Sequence, residues 1–163
     1  MCERSRGYQW FSLAGLVIVL DQLTKYFANS MLDYGQPLSV LPSFNLTLLY
    51  NRGAAFSFLN DAGGWQRWFF TAIAVVAIVF IVVWIRKLGK HETLLAFALA
   101  LILGGAAGNL IDRVLFGYVI DFIQVFYSEY FFPAFNIADS AISVGAVFLI
   151  WSNLKAPKNS GAA

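Results

Sequence analysis

The chain reads as an α-helical membrane protein: four transmembrane helices with a small extracytoplasmic β-sheet in the outer connections. Three observations carry this reading. Of 163 residues, 60% are hydrophobic, 17% aromatic and only 12% charged. Soluble domains carry about 25% charged residues, so half the usual charge is missing. Four apolar stretches, none with internal proline, are each long enough to cross about 30 Å of hydrocarbon at about 1.5 Å per residue. Seven of the eleven basic residues fall in three clusters, at Arg4 and Arg6, at Arg86, Lys87 and Lys90, and at Lys155 and Lys158.

The first span covers residues 10–29 and carries polar residues in its second half. The second, 68–85, has no charge and a single hydroxyl, Thr71, which makes it the most lipid-like. The third, 93–111, contains Gly104, Gly105 and Gly108, spaced for close helix crossing. The fourth, 136–154, has Asp139 near its start. Basic clusters mark the cytoplasmic side. An even number of spans then places both termini and the loop around His91 inside, and the 30–66 and 112–136 connections outside. Trp10, Trp84 and Trp151 fall at the inner interface, and Trp65 and Trp68 at the outer one, as an aromatic belt requires.

The outer connections are too apolar for free loops. Along Ser43–Tyr50, Phe44, Leu46, Leu48 and Tyr50 alternate with Ser43, Asn45, Thr47 and Leu49, a strand with one greasy face. It is expected to rest on the outer leaflet. Val119–Tyr130 is aromatic-rich and fits a short interfacial helix or a strand; periodicity does not decide between them. There is no internal repeat, and residues 1–163 read as a single integral membrane domain.

Several function classes drop out. A formal net charge of +2 leaves no nucleic-acid footprint. One cysteine, Cys2, permits no intramolecular disulfide, and one histidine, His91, builds no multi-histidine metal site. Most metalloenzyme readings fall here. Met1–Gly7 lacks the apolar run of a signal peptide. His91 lies on the wrong side for a rhomboid-like serine protease, and the His-Glu-x-x-His and Gly-x-Gly-Asp signatures are absent.

The ionisable groups at membrane depth gather at one level. Such groups are costly unless paired or hydrated, so each is a candidate for function. Asp21 and Lys25 lie in the outer half of the first span; Asn109, Asp112 and Arg113 end the third; Asn136 and Asp139 begin the fourth; Asn51 and Arg52 follow the strand. Plainer readings stand beside these. Asp21 and Lys25 form a self-neutralising i, i+4 pair, Asn51–Phe56 is a glycine turn, and Arg113 snorkels to headgroups. Asp121 and Asp139 resist such readings, because neither has a basic residue within four positions and both sit in apolar surroundings. Two carboxylates brought together there share a proton, the arrangement an aspartic protease uses. A non-enzymatic transporter or assembly factor is the alternative, although the charges line one interface instead of crossing the bilayer.

Five ordered blocks are together more specific than any of them alone. Asp21-Gln-Leu-Thr-Lys25, Asn51-Arg-Gly-Ala-Ala-Phe-Ser57, Gly104-Gly-Ala-Ala-Gly-Asn-Leu-Ile-Asp-Arg113, Val119-Ile-Asp-Phe122 and Phe135-Asn-Ile-Ala-Asp-Ser140 resemble the motifs of the bacterial lipoprotein signal peptidases, signal peptidase II. The resemblance covers about residues 10–154 and implies four transmembrane helices plus an extracytoplasmic β-sheet forming a cradle and a short interfacial helix. It implies an inner-membrane aspartic endopeptidase that removes signal peptides from prolipoproteins bearing a diacylglyceryl-cysteine, without cofactor or metal. It further implies Asp121 and Asp139 as the catalytic dyad, with Asn51, Asn109, Arg113, Asn136, Asp21 and Lys25 binding substrate or supporting the site. Membrane lipids surround such an enzyme, and the cyclic peptide globomycin inhibits the family.

Overall fold

A computed structural model describes residues 5–53 and 64–155. Expectations for Cys2, Arg4, Arg6, Ala54–Ser57, Lys158 and the tail after it fall outside the described backbone or side chains. The element order is α1 (Ser5–Met31), β1 (Leu38–Leu41), β2 (Phe44–Asn51), α2 (Trp65–Lys87), α3 (Thr93–Leu115), β3 (Val119–Tyr127), β4 (Tyr130–Phe131) and α4 (Ile137–Lys155). All four helices are long and apolar enough to cross a membrane. Each begins and ends within a few residues of its expected span.

The helices do not contribute equally. Much of α3 is buried, whereas α2 and α4 present most of their surface outward. Outward apolar side chains are expected where lipid replaces water as the solvent. The packed apolar core of Ala14, Ile81, Ile85, Leu99 and Leu103 lies in the half of the bundle away from the sheet, with Trp10 and Trp84 against it. That leaves the sheet-side half for polar groups.

Close approach of α3 to its neighbours depends on glycines. A β-carbon at Gly104 would come within 2.7 Å of Val17 Cβ and 2.8 Å of the Ala14 carbonyl on α1. At Gly105 it would collide with the Ala138 carbonyl on α4, and at Gly108 it would stand 2.5 Å from an Asp21 carboxylate oxygen. The expected small-residue crossing is therefore real, and it also brings α1 and α4 to the polar end of α3.

The connections form one antiparallel sheet in the order β1-β2-β3-β4. Val119–Tyr130 proves to be mainly strand, and among the described residues the helices are the four long ones. In β2 it is Asn45 and Thr47 that turn inward, with the Thr47 hydroxyl donating 2.9 Å to Gln124 Oε1, while Phe44 and Leu46 stay partly exposed. Leu48, on the same expected greasy face, is 2% exposed, so protein covers that face at its middle, and the uncovered apolar side chains of the sheet are Leu38, Val40 and Leu41 on β1.

Replacing Gly105 by alanine pushes a methyl group into the α4 backbone, so the thermal midpoint in detergent should fall by about 3 to 10 °C. Gly15→Ala, with no atom within 4 Å of the added carbon, should leave it unchanged. Thermal unfolding of both variants in the same micelle checks this.

Candidate active site

Asp139 owes its position to the start of α4. Asn136, just before the helix, accepts the Asp139 amide N–H on Oδ1 at 2.9 Å, and Asp139 Oδ2 accepts the Asn136 N–H at 3.3 Å. This reciprocal pair is a capping box with aspartate as the second member. The helix N-terminus favours the negative charge placed there. Asp139 is half-buried and keeps an open side.

Asp121 lies in β3 and is 2% exposed. Its partner depends on an irregularity in the neighbouring strand. Phe44 to Leu46 pair with Val125 to Ile123, but beyond a register shift Leu49 pairs with Asp121 and Asn51 with Val119. A bulge adds one residue to one strand and so reverses which face the following side chains occupy. Only with that extra residue does Asn51 share a face with Val119 and Asp121. The Asn51 amide then donates to Asp121 Oδ2 at 3.0 Å, while its Oδ1 accepts the Gly53 N–H at 2.9 Å. Gly53 has φ 110°, a conformation glycine tolerates, and its donor fixes which way the Asn51 amide faces.

One asparagine bridges the two carboxylates. Asn136 Nδ2 donates to Asp121 Oδ1 at 2.7 Å, while its backbone N–H serves Asp139. On the other side Asn109 Nδ2 donates to Asp139 Oδ1 at 2.7 Å. Asn109 Oδ1 accepts from Lys25 Nζ at 2.9 Å and from Asn136 Nδ2 at 3.2 Å. Because an ammonium only donates, the Asn109 amide has one possible orientation.

Lys25 is 1% exposed and engages more than its helix neighbour. Its ammonium lies 2.8 Å from Asp21 Oδ2 and 2.9 Å from Asp112 Oδ2. The simple i, i+4 pair expected between Asp21 and Lys25 is thus one edge of a cluster joining α1 to α3. Asp21 Oδ1 accepts the Ala138 N–H at 2.9 Å, and Asp112 Oδ2 accepts the Ile120 N–H at 3.0 Å. Gln22 donates to Asp112 Oδ1 at 2.9 Å and to Asp21 Oδ2 and the Gly108 carbonyl at 3.2 Å.

Arg113 behaves differently. Among the described residues it forms no ion pair; its Nη1 contacts its own helix at the Asn109 carbonyl, 3.4 Å away, and its guanidinium lies 5.7 Å from the Phe70 ring centre. Its charge acts on Asp139, Asp121 and Asp112 through space.

The consequence appears in the Asp121 carboxyl. Burial above all, and then the negative charge of Asp139, push its pKa up to about 7, against the opposing hydrogen bonds from Asn51 and Asn136. Such a group carries a proton close to neutrality, and the titration belongs to the pair.

All eight residues singled out from the sequence, Asp21, Lys25, Asn51, Asn109, Arg113, Asp121, Asn136 and Asp139, meet at the sheet end of the bundle. Asp112, placed at the same depth by the sequence but given no role, joins them, and Gln22 and Arg67 were missed as participants. Gln22 and Asp112 complete the cluster around Lys25, and Arg67 Nε and Nη2 cap the end of α3 at the Arg113 and Val114 carbonyls, each at 2.8 Å. Asp112 lay among the polar residues at the right depth, a usable signal. Nothing in the sequence pattern pointed to Gln22 or Arg67.

Comparison with known proteins agrees with this geometry. The family model for signal peptidase II matches residues 13–155. A lipoprotein signal peptidase of Acinetobacter baumannii is 54% identical over 157 residues, covering 94% of this chain and 89% of that protein. One from Teredinibacter turnerae is 55% identical over 146 residues, covering 90% and 87%. A solved bacterial membrane enzyme, determined in meso at 2.3 Å, superposes with a TM-score of 0.81 at 32% identity, covering 95% of this chain and 93% of the other. The chain is a multi-pass membrane protein that belongs to the signal peptidase II family.

Proposed function

We propose that this protein is an intramembrane aspartic endopeptidase that cleaves diacylglyceryl-modified prolipoproteins on the amino side of the lipidated cysteine. The observation that carries the reading is the placement of Asp121 and Asp139 on either side of one asparagine, with no salt bridge to either among the described residues. Carboxylates that need only be neutralised would have a cation beside them. These are held by amides, which orient them and leave the charge on the pair.

Acid and base roles follow from environment. Asp121 is the more deeply buried and holds the shared proton; Asp139 faces the opening and takes a proton from the attacking water. The protonated partner donates to the peptide carbonyl as the tetrahedral intermediate forms. Asn109 and Asn136 keep both carboxylates in orientation, Asn51 supports Asp121, and Arg113 supplies positive potential where negative charge develops. Asp21 and Lys25 support the site from behind and do not meet the substrate.

The membrane sets the geometry of attack. Arg86, Lys87 and Lys155 end α2 and α4 at the pole away from the sheet, so the positive-inside rule makes that pole cytoplasmic and the dyad extracytoplasmic in the inner membrane. A substrate anchored by a signal helix and a lipid presents its scissile bond at that depth. Both reactants are then fixed relative to the bilayer, and attack is effectively intramolecular.

Asp121→Asn and Asp139→Asn should each lower cleavage of a purified diacylglyceryl-prolipoprotein by roughly 10² to 10⁴-fold while the protein still inserts and unfolds cooperatively. Globomycin should block the wild-type reaction. Retention of cleavage by either well-folded variant would remove the dyad.

The pH dependence has a definite sign. A carboxyl whose pKa is raised to about 7 is protonated below that value and loses its proton above it. The donor to the carbonyl is therefore lost as pH rises, and kcat/KM should fall on the alkaline side with an apparent pKa near 7 that belongs to the pair. A rate that rose through this range would reverse the assignment of the proton.

A further inference from the structure

A second polar feature at the sheet end lies apart from the aspartates. Arg52 after β2, Arg67 and Trp68 at the start of α2, and Phe116, Gly117 and Tyr118 between α3 and β3 border a cleft of about 350 Å³. No carboxylate is among the described residues lining it. Two guanidinium groups share one cleft, and no counter-charge comes from the described residues of its walls.

Arg67 is fixed in advance. Its bonds to the Arg113 and Val114 carbonyls and the Trp68 ring, 5.1 Å from the guanidinium carbon, hold the group in place. Its Nη1 edge is turned toward Gly117, where an added β-carbon would lie 3.2 Å from it. Arg52, which also lines the cleft, is exposed. The start of α2 has neither an acidic residue in its first turn nor a side-chain cap, so the helix dipole adds to the positive potential. The ligand must therefore be an anion.

The surroundings narrow its chemistry. Trp68 is 66% exposed and Phe116 50% exposed, at the level where interfacial aromatics meet lipid headgroups. Below the cleft Phe69, Ile73, Val76 and Phe80 are all exposed and, at spacings of four, three and four, form one stripe down α2. An anionic headgroup in the cleft, continued by hydrocarbon along that stripe, matches both features. A soluble acidic peptide would leave the stripe without a role.

We propose that this cleft binds the phosphate of a membrane phospholipid, with Arg52 and Arg67 as its ligands and the acyl chains on the α2 stripe. Guanidinium forks suit phosphate oxygens, and a pre-ordered one loses less freedom on binding. Arg67 also caps the helix that carries Asn109, Asp112 and Arg113, and Arg52 adjoins Asn51. A bound lipid thus braces both flanks of the aspartate site without entering it.

The test uses the full chain, delipidated in neutral detergent, with lipid retention read by native mass spectrometry. With globomycin present to block the aspartate site, short-chain phosphatidylglycerol and phosphatidylcholine should both be retained, and diacylglycerol of equal chain length should not. Arg52→Gln, at an exposed side chain, should weaken phospholipid retention about tenfold, the loss expected for one charge-assisted contact, and Arg52→Glu should weaken it further. Thermal unfolding in the same micelle confirms the fold of each variant. Equal retention of diacylglycerol, or unchanged retention in both variants, would overturn the proposal. Inorganic phosphate binding as tightly as the lipid would overturn the lipid as its source.

Discussion

The buried ammonium of Lys25 is the constraint on which the rest of the site depends. It has three donors and uses all three, on Asp21, Asp112 and Asn109. The two carboxylates it neutralises each spend a further lone pair on a backbone N–H elsewhere: Asp21 on Ala138 at the start of α4, Asp112 on Ile120 at the start of β3. Those are the segments that carry Asp139 and Asp121. One cation therefore places both catalytic candidates through two acidic intermediaries, and sets the orientation of a third residue, Asn109, that donates to Asp139. Removing one partner of a buried pair costs about 3 to 5 kcal/mol because the other charge is stranded. Here the stranded charges would be two carboxylates in the half of the bundle that holds the site.

That arrangement explains how a membrane protein keeps two aspartates poised without neutralising them. Positive charge is spent one layer behind the dyad, where it stabilises Asp21 and Asp112. What touches Asp121 and Asp139 directly is amide hydrogen bonding, which directs the oxygens, while Arg113 and Lys25 act on them only through space. An ammonium in direct contact with either aspartate would pull its pKa down and end the sharing. Separating the charged layer from the amide layer requires α1, α3 and α4 to approach closely, and Gly104, Gly105 and Gly108 allow it.

Much of this was legible in the sequence for a physical reason. Crossing hydrocarbon demands long uninterrupted apolar runs, so the four helices announce themselves, and any charge at that depth stands out against them. The level of the site could be read from Asp21, Asn109 and Asp139 by counting residues along helices. The relations across elements could not. The β2 bulge that turns Asn51 toward Asp121 leaves no mark in the alternation of Ser43–Tyr50, because the polar and apolar positions suit either register until the partner strand is known. Nor does the greasy side of that strand say whether it faces protein or lipid, and it is Asn45 and Thr47 that turn inward. The Asn136-x-x-Asp139 spacing did encode the capping box, but a local helix start says nothing about which carboxylate its second member would meet across the fold.

The capping box also bears on how the site can work more than once. In the proposed reaction a side chain must accept a proton, release it and return to the same geometry, and that needs restoring contacts that survive the change of charge. Asp139 has them in the Asn136 N–H and the Asn109 amide, and the second of these is held by Lys25, whose own partners take no part in the proton transfer. Asp121 has them in Asn51 and Asn136, the first locked by Gly53. Each carboxylate is thus held by groups whose orientation is fixed from elsewhere. Burial, and then repulsion from Asp139, can therefore be expressed as a raised Asp121 pKa instead of being relieved by movement, which is the physical requirement for a shared proton.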